Sequence, residues 1–415
     1  MTMHAGGDRE PTVAIVVPTY NRSQLLTQTL DSLLAQTRLP DAIVVIDDGS
    51  TDDTPARLQP YRGAVTCLRQ ANRGKSAALN RALSVVHADY VWVVDDDDLV
   101  VPDGLALHLA ALRGASRADF TYGGYYAFEG LGRPPPLSKC RRREGPYMDA
   151  GDAFIRATEC YPFNHESMLV PLHCYRQVGG FDETLARGQD YDMVLRLIRR
   201  YRGVKTARPT ILIRLHEGMR GPAASRHSAA EREAVWRAND RALFRKLRAD
   251  VPLAEFLPPA LAPAFGMPAM RRRALLQRAR AMVRGWLFEE ALADMQAALA
   301  GSDAGRFSSD EVRLCRGILS PHTVVEAAET AFPEKAAALL ALHAQPLLDA
   351  VAQSLARVAL IRLREWRLRQ AARIFQFLLR AVGAAGTALV VMAIAQRVVA
   401  GFAAGALSVH KSVHQ

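Results

Sequence analysis

Four consecutive aspartates, Asp95 to Asp98, follow directly on the apolar run YVWVV. Two like charges about 4 Å apart repel by about 4 kcal/mol at an effective dielectric near 20, so the cluster needs a counter-charge. A divalent cation such as Mg2+ or Mn2+ answers that need, taking oxygen ligands and completing its shell with phosphate oxygens and water. Successive carboxylates point in different directions, so one can face the metal while another faces a sugar hydroxyl. The plain alternative is an acidic helix start favoured by the helix dipole. A second acid group, Asp47-Asp48-Gly49-Ser50-Thr51-Asp52-Asp53, also ends an apolar run. Gly49 permits a tight turn there, and exposed carboxylates can accept hydrogen bonds from a base or ribose. Asn72-Arg73-Gly74-Lys75-Ser76 fails the phosphate-loop pattern GxxxxGK[ST], because Arg69 stands where its first glycine belongs. Arg73 and Lys75, beside a glycine near a helix start, can still contact a diphosphate.

These residues need a frame. TVAIVVP reads as a strand closed by Pro18. SQLLTQTLDSLLAQT carries Leu25, Leu26, Leu30, Leu33 and Leu34 at helical spacing, with Ser23 as N-cap. AIVVIDDGS, KSAALNRALSVVHA and YVWVV continue as strand, helix and strand. Strands this uniformly apolar suit a parallel sheet covered on both faces, and the alternation implies a doubly wound α/β domain. Ligands then sit beyond the carboxyl ends of the strands. The exits PTYNR, DDGSTD and DDDD are therefore expected to converge on one crevice.

Farther on, GLGRPPPLSKCRRREGP reads as a loop or flap. NHESMLVPLHCYRQVGGFDE and RGQDYDMVLRLIRR read as a strand, a turn at Gly179-Gly180 and an amphipathic helix, and TILIRLHEGMRG as a last strand. From about Ser225 the pattern is almost wholly helical. The expected division is 1–224, an α/β domain, and 225–415, a helical domain. RGWLFEEALADMQAAL and REWRLRQAARIFQFLL share Trp286/Trp366, Ala291/Ala371 and Gln296/Gln376, either a degenerate helical repeat or chance. The apolar segment 381–408 is read as a buried or interfacial helix rather than a spanning one, since Arg397 interrupts any window of about 20 residues.

At 415 residues two domains are the default, and 49% hydrophobic with 23% charged residues is a globular balance. The formal net charge of +11 favours anionic partners. Its arginines are scattered among acids without interleaved stacking aromatics, so no nucleic acid is expected. Five widely spaced cysteines without CxxC spacing argue against a disulfide framework or zinc site and fit a reducing compartment. The start MTMHAGGDREP has no apolar secretory core, so a cytoplasmic location, extending to the inner membrane face, is the expectation.

VVPTYNRSQLLTQTLDSLLAQT, VVIDDGSTDDT, NRGKSAALNRAL, WVVDDDD, VGGFDE and GQDYDMVLRL occur in the order found in family-two inverting glycosyltransferases of GT-A fold, which this sequence resembles from about Val13 to Gly221. The resemblance implies a nucleotide-diphospho-sugar donor of UDP or dTDP type, Mn2+ or Mg2+, and transfer with inversion. It implies that Pro18, Thr19, Tyr20 and Asn21 line the nucleotide and that Asp48 reads the pyrimidine. Arg73 and Lys75 are placed near the diphosphate. Asp97 is implied as direct metal ligand and Asp95 as nearer the ribose, with Asp96 sharing that duty. His216 resembles a histidine that closes over the diphosphate or metal; a surface loop histidine is the equal alternative.

Asp190 stands where the family places its catalytic base, after Gln189 in place of a glutamate. That neighbour adds no charge, so a lower Asp190 pKa is expected. Asp192 is discounted, because on a helix it faces away from Asp190. His165 and Glu166 either line the acceptor side or, more in keeping with a histidine beside a strand, pack structurally. The implied acceptors are glycans, lipid-linked sugars or proteins in polysaccharide or glycoconjugate synthesis, with selectivity set by loops such as Tyr122 to Tyr126. The helical half would bind acceptor, form an oligomer or touch a membrane peripherally. A second function class is a lapsed sugar-nucleotide-binding scaffold, favoured by Gln189 alone.

Overall fold

The computed structural model describes residues 9–149, 151–216, 232–300 and 307–318, with 359, 368, 369, 371, 372 and 374–376. The chain divides into two compact units, Met1–Leu243 and Phe244–Gln415. In the first, the elements run β1 (Val13–Thr19), α1 (Ser23–Leu34), β2 (Ala42–Asp47), α2 (Thr54–Arg57), β3 (Thr66–Arg69), α3 (Lys75–Val85), β4 (Tyr90–Val93), β5 (Leu99–Val100) and α4 (Gly104–Arg113). They continue as β6 (Phe120–Tyr122), β7 (Tyr125–Glu129), β8 (Arg141–Arg143), α5 (Ala153–Glu159), β9 (Met168–Pro171), α6 (Leu172–Gln177), α7 (Gln189–Arg200), β10 (Gly203–Lys205) and β11 (Ile211–Leu215). Helix α8 (Arg232–Asp250) contains the division between the units, and α9 (Pro268–Arg284), α10 (Phe288–Leu299) and α11 (Ser309–Ile318) follow.

Seven strands form one sheet in the order β10-β6-β9-β4-β1-β2-β3. It is parallel throughout except for β9, which runs antiparallel to both β4 and β6. The expected doubly wound, mostly parallel α/β architecture is what the chain adopts. Every residue of β1 is buried, as a strand covered on both faces requires. Val13, Ile15 and Val17 pack with Leu26, Leu30 and Leu33 of α1 and with Leu105 and Leu109 of α4. A smaller sheet, β5-β11-β7-β8, pairs β11 with β7 in parallel and places β5 and β8 antiparallel at its edges.

Pro18 does not close β1; it lies inside the strand, opposite Ile46 of β2. Successive residues of a strand turn their backbone groups to alternate neighbours. Val16 accepts a bond from Val94 on the β4 side, so Pro18, two residues on, faces that side just where β4 has ended. A residue without an N–H leaves no donor orphaned as the two strands separate. The separation opens the crevice at the strand ends.

Local chemistry departs from expectation in four places. Ser23 is the first helical residue rather than the cap, and its hydroxyl donates to Asp53. Strand β3 is mostly exposed and polar, so it lacks the apolar run that marks its neighbours. The short helix α6 intervenes before the Gly179-Gly180 turn, both of whose glycines have positive φ. The stretch read as a flap holds β8, whose arginines pair with Tyr125 to Ala127.

In the second unit α9 packs against α10 and α11. Asp294 of α10, 2% exposed, accepts bonds from both Arg248 and Arg278, and Arg272 of α9 pairs with Glu311 of α11. Residues 284–299 form the last residue of α9, the turn at Trp286 and helix α10. Most of the second repeat piece, 364–379, and the apolar segment 381–408 lie outside the described residues. Among the described residues no helix is long and apolar enough to cross a membrane. All five cysteines are free thiols.

A Cβ on Gly104 would sit 2.7 Å from Val100 Cγ1, 2.9 Å from the Thr210 carbonyl and 3.0 Å from the Trp92 ring. Gly104→Ala is therefore expected to destabilise the first unit by about 1–3 kcal/mol through overpacking. Urea unfolding followed by near-UV circular dichroism checks this; an unchanged midpoint contradicts the tight packing of α4 on the sheet.

Candidate active site

The three strand exits meet. Thr19 Oγ1, at the end of β1, donates to Asp96 Oδ2 beyond β4 at 2.7 Å. Asn21 takes a left-handed conformation, φ 54°, which asparagine tolerates better than most residues. Its Oδ1 accepts from the Thr51 and Asp52 amides, and its own amide donates to Ser50 Oγ, tying the β1 exit to the β2 exit.

Fixed cations neutralise the acids. Arg22, which follows β1, donates from one nitrogen to Asp96 Oδ1 and to Asp97 Oδ2, each at 2.8 Å. Asp96 foremost, and Asp97, raise the pKa of that guanidinium against the effect of burial. Burial pushes Asp96 itself up to about 6 despite Arg22. Asp97 Oδ2 also lies 3.0 Å from His216 Nε2, just past β11.

Arg214, 1% exposed on β11, holds the acidic loop from beneath. Its guanidinium donates to the carbonyls of Asp97, Gly130 and Gly132 and to Gln28 Oε1, while its amide donates to Asp98 Oδ1 at 2.8 Å. Thr29 Oγ1 holds the Asp98 carbonyl at 2.7 Å. Asp98 is thus a structural member of the four.

Lys75, the first residue of α3, places its ammonium 2.7 Å from Asp95 Oδ1 and 3.2 Å from Asp190 Oδ2. Burial works against the charged ammonium, but Asp190 and Asp95 overcome it and hold the Lys75 pKa well above the ordinary lysine value. Asp190 is the second residue of α7, whose entry is Gly188 at φ 78°. Burial would raise its pKa; Lys75 prevails and lowers it. Asp190 Oδ1 and the neighbouring Gln189 Oε1 are buried with no hydrogen-bond partner among the described residues.

The turn His165–Ser167 packs against α7 and against β4, and Trp92 Nε1 fixes it by donating to the Glu166 carbonyl at 2.6 Å. Burial foremost, then Asp95, raises the Glu166 carboxyl well above the ordinary range. His165 is fully buried with Nε2 2.9 Å from the Tyr175 hydroxyl, and burial lowers its pKa to about 4. Asp192, turned away from the crevice, pairs with Arg196, which also binds the Val178 and Gly180 carbonyls.

Two residues expected at the donor have other partners. Asp48 is 4% exposed and accepts from Gln70 Nε2, the Arg73 amide and the Gly74 amide. A carboxylate offers about four lone-pair sites, so at most one remains for a base. Asp48 is foremost the anchor of the loop that starts α3. The Arg73 side chain pairs with Glu183 at 3.1 Å in an exposed contact. Pro18 is buried inside β1, and Tyr20 is half-buried beyond it.

Arg22 and Arg214 escaped the sequence reading. The signal for Arg22 was its place at one strand exit opposite four acids at another; no local pattern singles out Arg214.

A divalent ion fits the donor set. Asp97 and His216 converge from the β4 and β11 exits as one carboxylate oxygen and one imidazole nitrogen, and Arg22 reaches the same Asp97 oxygen at 2.8 Å. No group of three or more His, Cys, Asp or Glu suited to a metal occurs among the described residues. The arrangement suits an ion that draws its remaining ligands from phosphate and water.

The family model for glycosyl transferase family 2 matches residues 14–168. An uncharacterized glycosyltransferase of Rickettsia bellii is 27% identical over 198 residues, 46% of this chain and 28% of that protein. Chondroitin synthase of Escherichia coli is 28% identical over 200 residues, 46% of this chain and 27% of that protein. The putative colanic acid biosynthesis glycosyl transferase WcaA of Escherichia coli K12 is 28% identical over 198 residues, 46% and 67% respectively. The chain thus spans under a third of the first two. Among solved structures, S. aureus TarS 1-349 in complex with UDP-GlcNAc superposes with a TM-score of 0.46 at 18% identity, covering 83% of this chain and 90% of that one.

Arg214→Met would leave the buried Asp97 carbonyl without its donor and remove the part-buried bonds to the Gly130 and Gly132 carbonyls and to Gln28. The expected loss is about 1–3 kcal/mol, the cost of one orphaned buried group. Arg214→Lys recovers little, because an ammonium lacks the planar fork. Urea midpoints of the two variants decide; wild-type values would remove Arg214 from its role under the acidic loop.

Proposed function

We propose that the chain, whose residues 14–168 match the glycosyl transferase family 2 model, transfers one sugar from a UDP- or dTDP-sugar to an acceptor hydroxyl with inversion. The observation that carries the reading is Asp190: a carboxylate with one buried oxygen open, joined through Lys75 to the acids of the β4 exit. Asp190 Oδ1 receives the proton of the acceptor hydroxyl as the acceptor's oxygen bonds to the anomeric carbon and the bond from that carbon to the nucleoside diphosphate breaks. With Asp190 acting as base in a single displacement, the configuration at the anomeric carbon is inverted. Asp97 and His216 would hold a divalent ion, which would supply charge stabilisation to the departing diphosphate. Thr19 and Arg22 keep Asp96 and Asp97 in place, and the last lone pair of Asp48 remains for the base.

Chondroitin synthase and WcaA by their names make polysaccharide, which supports a glycan acceptor for this chain. The scaffold alternative rests on Gln189, whose neutral amide carbonyl still offers a buried acceptor to a hydroxyl.

Asp190→Asn is expected to lower Mn2+-dependent release of UDP or dTDP from nucleotide sugars by about a hundredfold or more, as loss of a general base does. Undiminished release would refute the assignment. Because the pKa of Asp190 is depressed, the base stays ionised as pH falls from neutral and is lost only when protonated. The acid limb of kcat/KM should therefore lie below the ordinary aspartate value. His216→Ala should raise the Mn2+ concentration needed for half-maximal activation while leaving the fold intact by circular dichroism.

A further inference from the structure

We propose that Lys75 is the positioning residue of the base Asp190, rather than a ligand of the donor diphosphate. This deepens the reading of Asp190 given above and rests on it.

The ammonium touches both acids, Asp95 Oδ1 at 2.7 Å and Asp190 Oδ2 at 3.2 Å. It thereby pins one oxygen of Asp190 and leaves the other, Oδ1, buried and without a partner. A carboxylate held by one oxygen cannot rotate freely, so the lone pairs of the second keep one direction. Lys75 is itself held: Asp48 accepts from the Arg73 and Gly74 amides, and Gly74, at φ 91°, immediately precedes α3. The chain of contacts runs from the β2 exit through the 72–74 loop to the ammonium, and from there to the first turn of α7.

The titratable and charged groups around Asp190 come from every side. Lys75 reaches it from α3, sharing its ammonium with Asp95 beyond β4. Tyr161, His165 and Glu166 act on it from the segment before β9, Tyr175 from α6, and Arg187 from the loop before α7. Among them Lys75 is the cation in direct contact, with Glu166 and Asp95 opposing. Without it, burial beside those acids would favour a protonated, idle Asp190.

The test compares full-length wild type, Lys75→Met and Lys75→Arg, with Asp190→Asn identifying the Asp190 signal. Carbon-13 carboxylate NMR titration reads the base without turnover. Its midpoint should rise by about one pH unit or more in Lys75→Met and stay near wild type in Lys75→Arg. The acid limb of kcat/KM for nucleotide-sugar turnover should move with it. Affinities for UDP and dTDP with Mn2+ should stay within about threefold of wild type, under 1 kcal/mol by the affinity relation. An unmoved Asp190 midpoint, or a tenfold loss of nucleotide affinity with an unmoved acid limb, overturns the proposal. Full turnover in Asp190→Asn would instead overturn the reading of Asp190 as base, while the NMR comparison still judges the Lys75 contact.

Discussion

The first unit depends on one constraint: acids drawn together at the strand ends must be met by cations held as firmly as the acids themselves. Arg22, Lys75 and Arg214 meet it in different ways. Arg22 bridges two carboxylates, Lys75 joins acids from two separate elements, and Arg214 supports the loop mainly through its carbonyls. Each cation comes from a different place in the fold, so the acidic loop is positioned by the turn between β1 and α1, by α3 and by β11 together. An acid cluster of this kind would strain an unfolded chain little and a folded one greatly; the tertiary structure resolves the conflict.

Preorganisation follows. Dipoles and charges fixed before a substrate arrives need not reorganise when it reacts. The four aspartates divide their labour accordingly. Asp98 is bound to the backbone of Arg214, Asp96 to Thr19 and Arg22, Asp97 faces His216, and Asp95 shares Lys75 with Asp190. The direction of each side chain at the strand exit selects its partner.

Much of this frame was legible in the sequence, because β1, β2 and β4 are apolar runs that end abruptly in polar residues. Their parallel pairing places those ends side by side. What was not legible depends on distance along the chain: Arg22 meets Asp96 across 74 residues, and the Arg214 amide meets Asp98 across 116. No local pattern encodes such pairs. Asp48 was read as an open acid since a DDGS turn looks exposed, whereas its partners arrive from the 70–74 loop. Ser23 resembled a cap until Asp53 engaged its hydroxyl.

The strand of three arginines, β8, closes one border of the smaller sheet with all three residues exposed. A border strand offers unsatisfied amides and carbonyls to any other chain, the usual start of ordered aggregation. Here a second copy approaching edge to edge would bring guanidiniums against guanidiniums. The same residues that make the region look like a loose basic flap thus set positive charge along a sheet border.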